Sequence, residues 1–175
     1  MLENLKYGLI LLMVVAISCA VLAYVNSVTE PLISENKRIA EENARKNIFP
    51  DLESTVSIAT SQLDYLEIYD INNVLLGYLF ISTGKGYNGD IVAMVGVTTE
   101  FAIKKVLVLS QVETPGLGDK IKSTSFLDNF INLKNQDLRI SNDGGKIMNI
   151  TGATVSSRAI TNSIREHIEL LMEQY

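Results

Sequence analysis

Cysteine is nearly absent from this chain of 175 residues; there is only Cys19. A single thiol closes no intramolecular disulfide and builds no cysteine-ligated zinc or iron–sulfur site by itself. Cys19 lies inside an apolar run, so it says nothing about the redox compartment of the rest. Histidine is as scarce, with His167 alone, which leaves no basis for a His-rich metal centre or a catalytic triad. Excess positive charge is missing too: 15 Lys and Arg against 20 Asp and Glu give a net charge of −5. Phosphate backbones require a basic surface, so nucleic acid is excluded as a partner. What remains is 47% apolar residues, enough for one sizeable domain with an appendage.

The appendage comes first. Residues 7–25 read YGLILLMVVAISCAVLAYV, nineteen positions without a charge. At 1.5 Å per residue this run crosses a bilayer core of about 30 Å. A cleaved signal peptide has a shorter core and a small-residue cleavage site. A lipoprotein signal would stop at Cys19, whereas apolar character here continues to Val25. An uncleaved single-pass anchor over residues 1–25 is therefore expected, with the lipid bilayer as a partner. Lys6 precedes the run, and Lys37, Arg38 and Arg45 follow it, a count that favours placing the C-terminal part in the cytoplasm.

Residues 31–47 are rich in helix formers. Ile33, Ile39, Ala40, Ala44 and Ile48 form a loose stripe, Pro31 suits a first helical turn, and Pro50 falls beyond the end. Two readings of the 26–49 segment stand side by side: a stalk, or an amphipathic helix packed on the domain's own sheet. Residues 50–175 form the main domain. Strand patterns are expected at 63–69 and 74–82, a hairpin across Asp70 to Asn73, and again at 91–97 and 105–112. Gly84 to Gly89 is a turn without phosphate-loop spacing, although Lys85 and Tyr87 have the chemistry to line a pocket. A short helix is expected at 126–133 and a polar turn at 136–145. From Val155 onward Ala159, Ile160, Ile164, Ile168 and Leu171 recur at helical intervals. The fold class is α+β, a mainly antiparallel sheet flanked by helices.

Two loops carry the chemistry. Thr151-Gly152-Ala153-Thr154-Val155-Ser156-Ser157 packs four hydroxyls and a glycine in front of the last helix. Such a segment either caps the helix with a Ser or Thr side chain or offers its amides and dipole to an anion, most often a phosphate. Glu113-Thr114-Pro115-Gly116-Leu117-Gly118-Asp119-Lys120-Ile121 follows a strand. Pro115-Gly116 suits a type II turn, and Gly116 and Gly118 permit close backbone approach to a flat ligand.

With the single leading helix, TGATVSS and ETPGLGDKI resemble the G-type, covalent FMN-binding subunit of Rnf-type electron transport complexes. They also resemble its relative, the C-type FMN-carrying subunit of sodium-translocating NADH:quinone oxidoreductases. The resemblance implies FMN attached through its phosphate to the last hydroxyl of [ST]-G-A-T-x-[ST], here Ser156. Thr151, Gly152, Ala153, Thr154 and Val155 would lie around the phosphate, and Arg158 is a candidate charge partner. Glu113, Thr114, Gly116, Leu117, Gly118 and Lys120 would sit near the flavin ring, with Lys120 or Lys85 as a donor to its edge.

The resemblance further implies an ion-translocating ferredoxin:NAD+ oxidoreductase in which this subunit relays electrons without independent catalysis. Iron–sulfur and flavin subunits would be its partners, a flavin transferase its maturation enzyme, and the outside of the cell membrane its place, against the basic-residue count. No metal site is expected. Family members commonly carry an acid, recognised by the transferase, three positions before the first Thr or Ser; here Met148 stands there. The alternatives are the FMN subunit of a quinone reductase or another respiratory chain, or a non-redox tethered adaptor whose TGATVSS only caps a helix.

Overall fold

The computed structural model describes residues 2–175, with side chains from residue 6 onward. Met1, the first residue of the expected anchor, lies outside them. The chain divides into two compact units, residues 1–40 and 41–175. From Leu2 onward the first is helical, part of α1 (Leu2–Ile48). Beginning at Lys6 it holds a stretch with mean hydropathy 2.7 and no buried side chains, long and apolar enough to cross a membrane. Pro31 lies inside α1, where a helix start was expected. A proline in a helix interior costs about 3 kcal/mol, yet α1 continues on both sides of it. Nearby hydroxyls stay on helix carbonyls: Ser27 donates to Tyr24 O, Thr29 to Val25 O and Ser34 to Pro31 O.

The second unit is built on five strands: β1 (Ser54–Ala59), β2 (Asp64–Tyr69), β3 (Leu75–Lys85), β4 (Asp90–Val97) and β5 (Ile103–Ser110). Their spatial order is the chain order, and every neighbouring pair is antiparallel. This is the expected meander, with one strand more. β1 was not foreseen, because STVSIA is a mostly exposed edge strand with little apolar character.

Side chains alternate across the sheet as the strand period requires. Tyr65, Tyr78, Phe80, Ile91, Ala93, Val95, Val97 and Val106 face the larger core, with Ile160, Ile164, Ile168 and Leu171 from α3 (Thr154–Met172). Phe126 and Phe130, on α2 (Thr124–Leu127) and the 3-10 turn after it, complete that layer. The opposite face holds Ile68, Leu79 and Met94, covered by Ala44, Ile48 and Phe49. Ala44 and Ile48 near the end of α1 thus pack on this face of the sheet. Gly96 makes room for this packing: a Cβ there would lie 2.2 Å from Ile48 Cγ2.

At the far end of α3, the Tyr175 hydroxyl donates to Glu67 Oε1 (2.6 Å) and lies 3.2 Å from the Tyr65 hydroxyl. Burial first, then these hydrogen bonds, push the Tyr175 phenol well above its ordinary value.

Candidate functional site

The two chemically notable loops meet in space, and each is built on the same kind of turn. In residues 114–117 the Leu117 amide donates to Thr114 O (3.2 Å), with Gly116 in the third position at φ +76°. In residues 150–153 the Ala153 amide donates to Ile150 O (3.0 Å), with Gly152 in the third position at φ +81°. A left-handed residue at that position is what a type II turn requires, and glycine adopts it without strain. The turns pack on each other: a Cβ on Gly152 would lie 2.8 Å from Leu117 Cδ1.

Between them is a cavity of about 440 Å³, lined by Tyr87, Glu113, Thr114, Leu117, Gly118, Gly152, Ala153, Thr154, Val155 and Ser156. Of the expected site residues, nine line it. Thr151 and Gly116 do not; they shape the turns from behind. Lys120 lies instead in a separate cavity with Ser123, Phe126, Asn129, Met148 and Ile150, so the ETPGLG loop reaches the main cavity through Glu113 to Gly118. Tyr87, raised in the sequence only as a possible lining residue, is an exposed aromatic at the rim.

The capping reading of TGATVSS fails. The N-cap of α3 is Ala153, and no side chain caps the helix. Ser157, inside the helix, turns backwards instead: its Oγ accepts the Ile150 amide (3.1 Å) and donates to Ala153 O (2.9 Å). The first backbone bond of α3 is Ser157 N–H to Ala153 O. The amides of Thr154, Val155 and Ser156 therefore precede the helix ladder and carry the positive end of its dipole at the cavity wall.

Ser156 is buried, and its hydroxyl donates to Glu113 Oε2. The other carboxyl oxygen, Glu113 Oε1, accepts the amides of Tyr87 (3.0 Å) and Asn88 (3.1 Å). Asn88 Nδ2 also donates to Thr114 Oγ1 (3.1 Å), tying the β3–β4 turn to the second loop. The Glu113–Ser156 contact was not readable from the sequence, since the two stand 43 positions apart. Arg158 points elsewhere. Its Nε and a terminal nitrogen bind both oxygens of Asp143 (2.7 and 2.8 Å). That hydrogen bond, with the charge behind it, holds the Asp143 carboxyl below its ordinary value.

A second cavity, about 410 Å³, contains Arg45, Asp64, Tyr65 and His167 and none of the motif residues.

Comparison with known proteins follows the same loops. The FMN-binding domain family matches residues 86–169, from the turn carrying Tyr87 into the last turns of α3. The chain is 25% identical over 181 residues to the G component of an ion-translocating oxidoreductase complex of Methanosarcina acetivorans, covering 98% of this chain and 96% of that one. It is 28% identical over 190 residues to the G component of the Na(+)-translocating ferredoxin:NAD(+) oxidoreductase complex of Acetobacterium woodii, covering 94% and 90%. In fold it is similar to the C component of the Na(+)-translocating NADH-quinone reductase of Parabacteroides distasonis, with a TM-score of 0.57 at 15% identity over 70% of this chain and 77% of that one. Residues 86–169 thus match the FMN-binding domain family, and nearly the whole chain is similar to the G components of ion-translocating oxidoreductase complexes.

Proposed function

We propose that this chain is a membrane-anchored flavoprotein subunit that relays electrons within an ion-translocating ferredoxin:NAD+ oxidoreductase, through an FMN esterified by its phosphate to Ser156. The observation that carries this reading is the shared cavity. It sets one buried hydroxyl beside the uncapped amides of a helix N-terminus, opposite a loop with an apolar side chain.

The residues fit the group. A cavity of about 440 Å³ falls in the usual range for a cofactor site, roughly 300–1,000 Å³. The Thr154, Val155 and Ser156 amides suit a phosphate. Leu117 and Tyr87 offer an apolar and an aromatic surface to a flat ring, and Thr114 offers a hydroxyl to its polar edge. When bound, FMN supplies a carrier that exchanges electrons one or two at a time. The protein's part is to hold it, orient it and limit water at its phosphate. With one cysteine in the whole chain, the neighbouring iron–sulfur carriers belong to partner subunits, and no catalysis by this chain alone is expected. The domain is assigned to the extracytoplasmic side, reached through residues 1–25 as the anchor. Protease added to intact spheroplasts should cut it, and full protection there with cleavage in inverted vesicles would reverse that assignment.

Covalent attachment is tested by co-expressing the chain with a flavin transferase and viewing a denaturing gel under ultraviolet light. Wild type, Thr154→Ala and Ser157→Ala should give a fluorescent band, and Ser156→Ala none. A fluorescent Ser156→Ala band would show that another residue is the acceptor. A dark wild-type band from the native membrane would favour the adaptor reading.

A further inference from the structure

A serine hydroxyl is a poor nucleophile until something accepts its proton. Where FMN is to be esterified to Ser156, the phosphorus must also carry a better leaving group than hydroxide. The donor class is therefore a flavin nucleotide activated as a phosphoric anhydride, with a nucleoside monophosphate as its leaving group.

We propose that Glu113 is the general base for this transfer, so that the acceptor subunit brings its own catalytic carboxylate to its modification. The proposal rests on the reading of Ser156 as the acceptor. Glu113 Oε2 already accepts a hydrogen bond from the Ser156 hydroxyl. The carboxyl group is fixed for that role: Oε1 is held by the Tyr87 and Asn88 amides, which leaves Oε2 turned to Ser156. Its hydrogen-bond donors are all neutral groups, so no fixed cation competes for the lone pair facing the serine.

The surroundings are built around the pair. Two glycines stand where any side chain would strike it. A Cβ on Gly86 would lie 2.4 Å from Glu113 Oε1, and one on Gly118 would lie 2.8 Å from Oε2 and 3.1 Å from Ser156 Oγ. Both partners are almost fully buried, with Glu113 at 5% and Ser156 at 2% exposure, yet both line the cavity. Burial costs a carboxylate solvation, and a hairpin latch needs no ionisable group, whereas a proton acceptor does.

As Ser156 Oγ closes on the phosphorus, Glu113 Oε2 takes the hydroxyl proton. The Oγ–P bond forms, the bridging P–O bond of the anhydride breaks, and the nucleoside monophosphate leaves with that electron pair. Nothing is oxidised or reduced, and the proton rests on Glu113 until solvent removes it. A carboxylate that accepts the proton of an attacking hydroxyl is the same device that protein kinases use. Here it sits on the protein being modified.

The test is a single-turnover transfer assay on the full chain in detergent, with purified flavin transferase and flavin adenine dinucleotide, followed by in-gel fluorescence across a pH series. Glu113→Gln should slow labelling about 10²–10⁴-fold, the usual contribution of a positioned base. Glu113→Asp, which keeps the charge one methylene further back, should recover part of the rate. A Glu113→Gln rate within threefold of wild type across the series, or equal rates for the Gln and Asp variants, would overturn the proposal. Because Asp keeps the carboxylate, that variant decides the matter if Gln fails to fold. Labelling of Ser156→Ala would instead sink the acceptor assignment, whatever Glu113 does.

Discussion

Gly84 on β3 lies directly beneath the Ala159 carbonyl on α3. A Cβ on that glycine would stand 2.5 Å from the Ala159 oxygen and 2.9 Å from Ser163 Oγ. The strand and the helix backbone touch because nothing projects between them, and this contact sets the height of α3 over the sheet. Gly84→Ala is expected to lift the helix. Overpacking of this kind costs typically 1–3 kcal/mol, and a backbone oxygen cannot rotate aside. Urea unfolding should show the loss in the midpoint, and fluorescent labelling should fall with it because Ser156 rides on the same helix.

Ser157 holds the turn before α3 together, taking the Ile150 amide and giving its proton to Ala153 O. Ser157→Ala leaves a half-buried amide without a partner. The expected cost is about 1–3 kcal/mol, visible as a lower thermal midpoint. Flavin labelling should persist, since Ser157 does not line the cavity. Loss of labelling in a folded Ser157→Ala protein would make it a second acceptor candidate.

Asp143 and Arg158 tie the polar 139–147 loop to α3 through a bidentate pair. The Arg158 hydrogen bond, with its charge, lowers the Asp143 carboxyl. A depressed carboxyl contributes stability above its unfolded value, and that contribution is lost as pH falls through the folded value. The thermal-midpoint gap between wild type and Asp143→Asn should therefore be present at pH 7. It should close as the buffer is taken well below about 3.9, the ordinary aspartate value. The pair is exposed, so the gap should be small and should narrow in high salt. A gap that widens in acid would refute this assignment.

Met148 departs from the acid expected three positions before Thr151, and its side chain is 69% exposed. It lies outside the Ser156 cavity, in the one that holds Lys120. Met148→Asp should therefore change stability by no more than about 0.5 kcal/mol. If the resemblance describes this position correctly, the same substitution raises the initial rate of flavin transfer. An unchanged rate would mean that the transferase reads other residues here.

Legibility in the sequence followed the strength of the local signal. β2 to β5 were readable because runs of aromatic, branched and apolar residues stand between turn residues, and α3 because Ile160, Ile164 and Ile168 keep a helical interval. β1 was not, since STVSIA buries almost nothing and resembles a polar loop. Pro31 misled because proline chemistry points to a helix start, while the structure runs one helix through it. The two site loops were legible as turns from Pro115-Gly116 and Gly152. The resemblance brought them to one flavin, but the Glu113–Ser156 contact was not legible, because the two meet only through the packing of α3 on β3. The cap reading failed for a similar reason: hydroxyls abound, but Ala153 occupies the one position that counts.

The sheet is strung from local hairpins, each strand pairing with the next in the chain. Such contacts close small loops and form early. The Glu113–Ser156 pair instead closes 43 residues and needs the docked helix. On the proposed reading, a chain with a finished sheet but an undocked α3 has neither nucleophile nor base in place. Flavin attachment then reports that α3 has docked on the sheet.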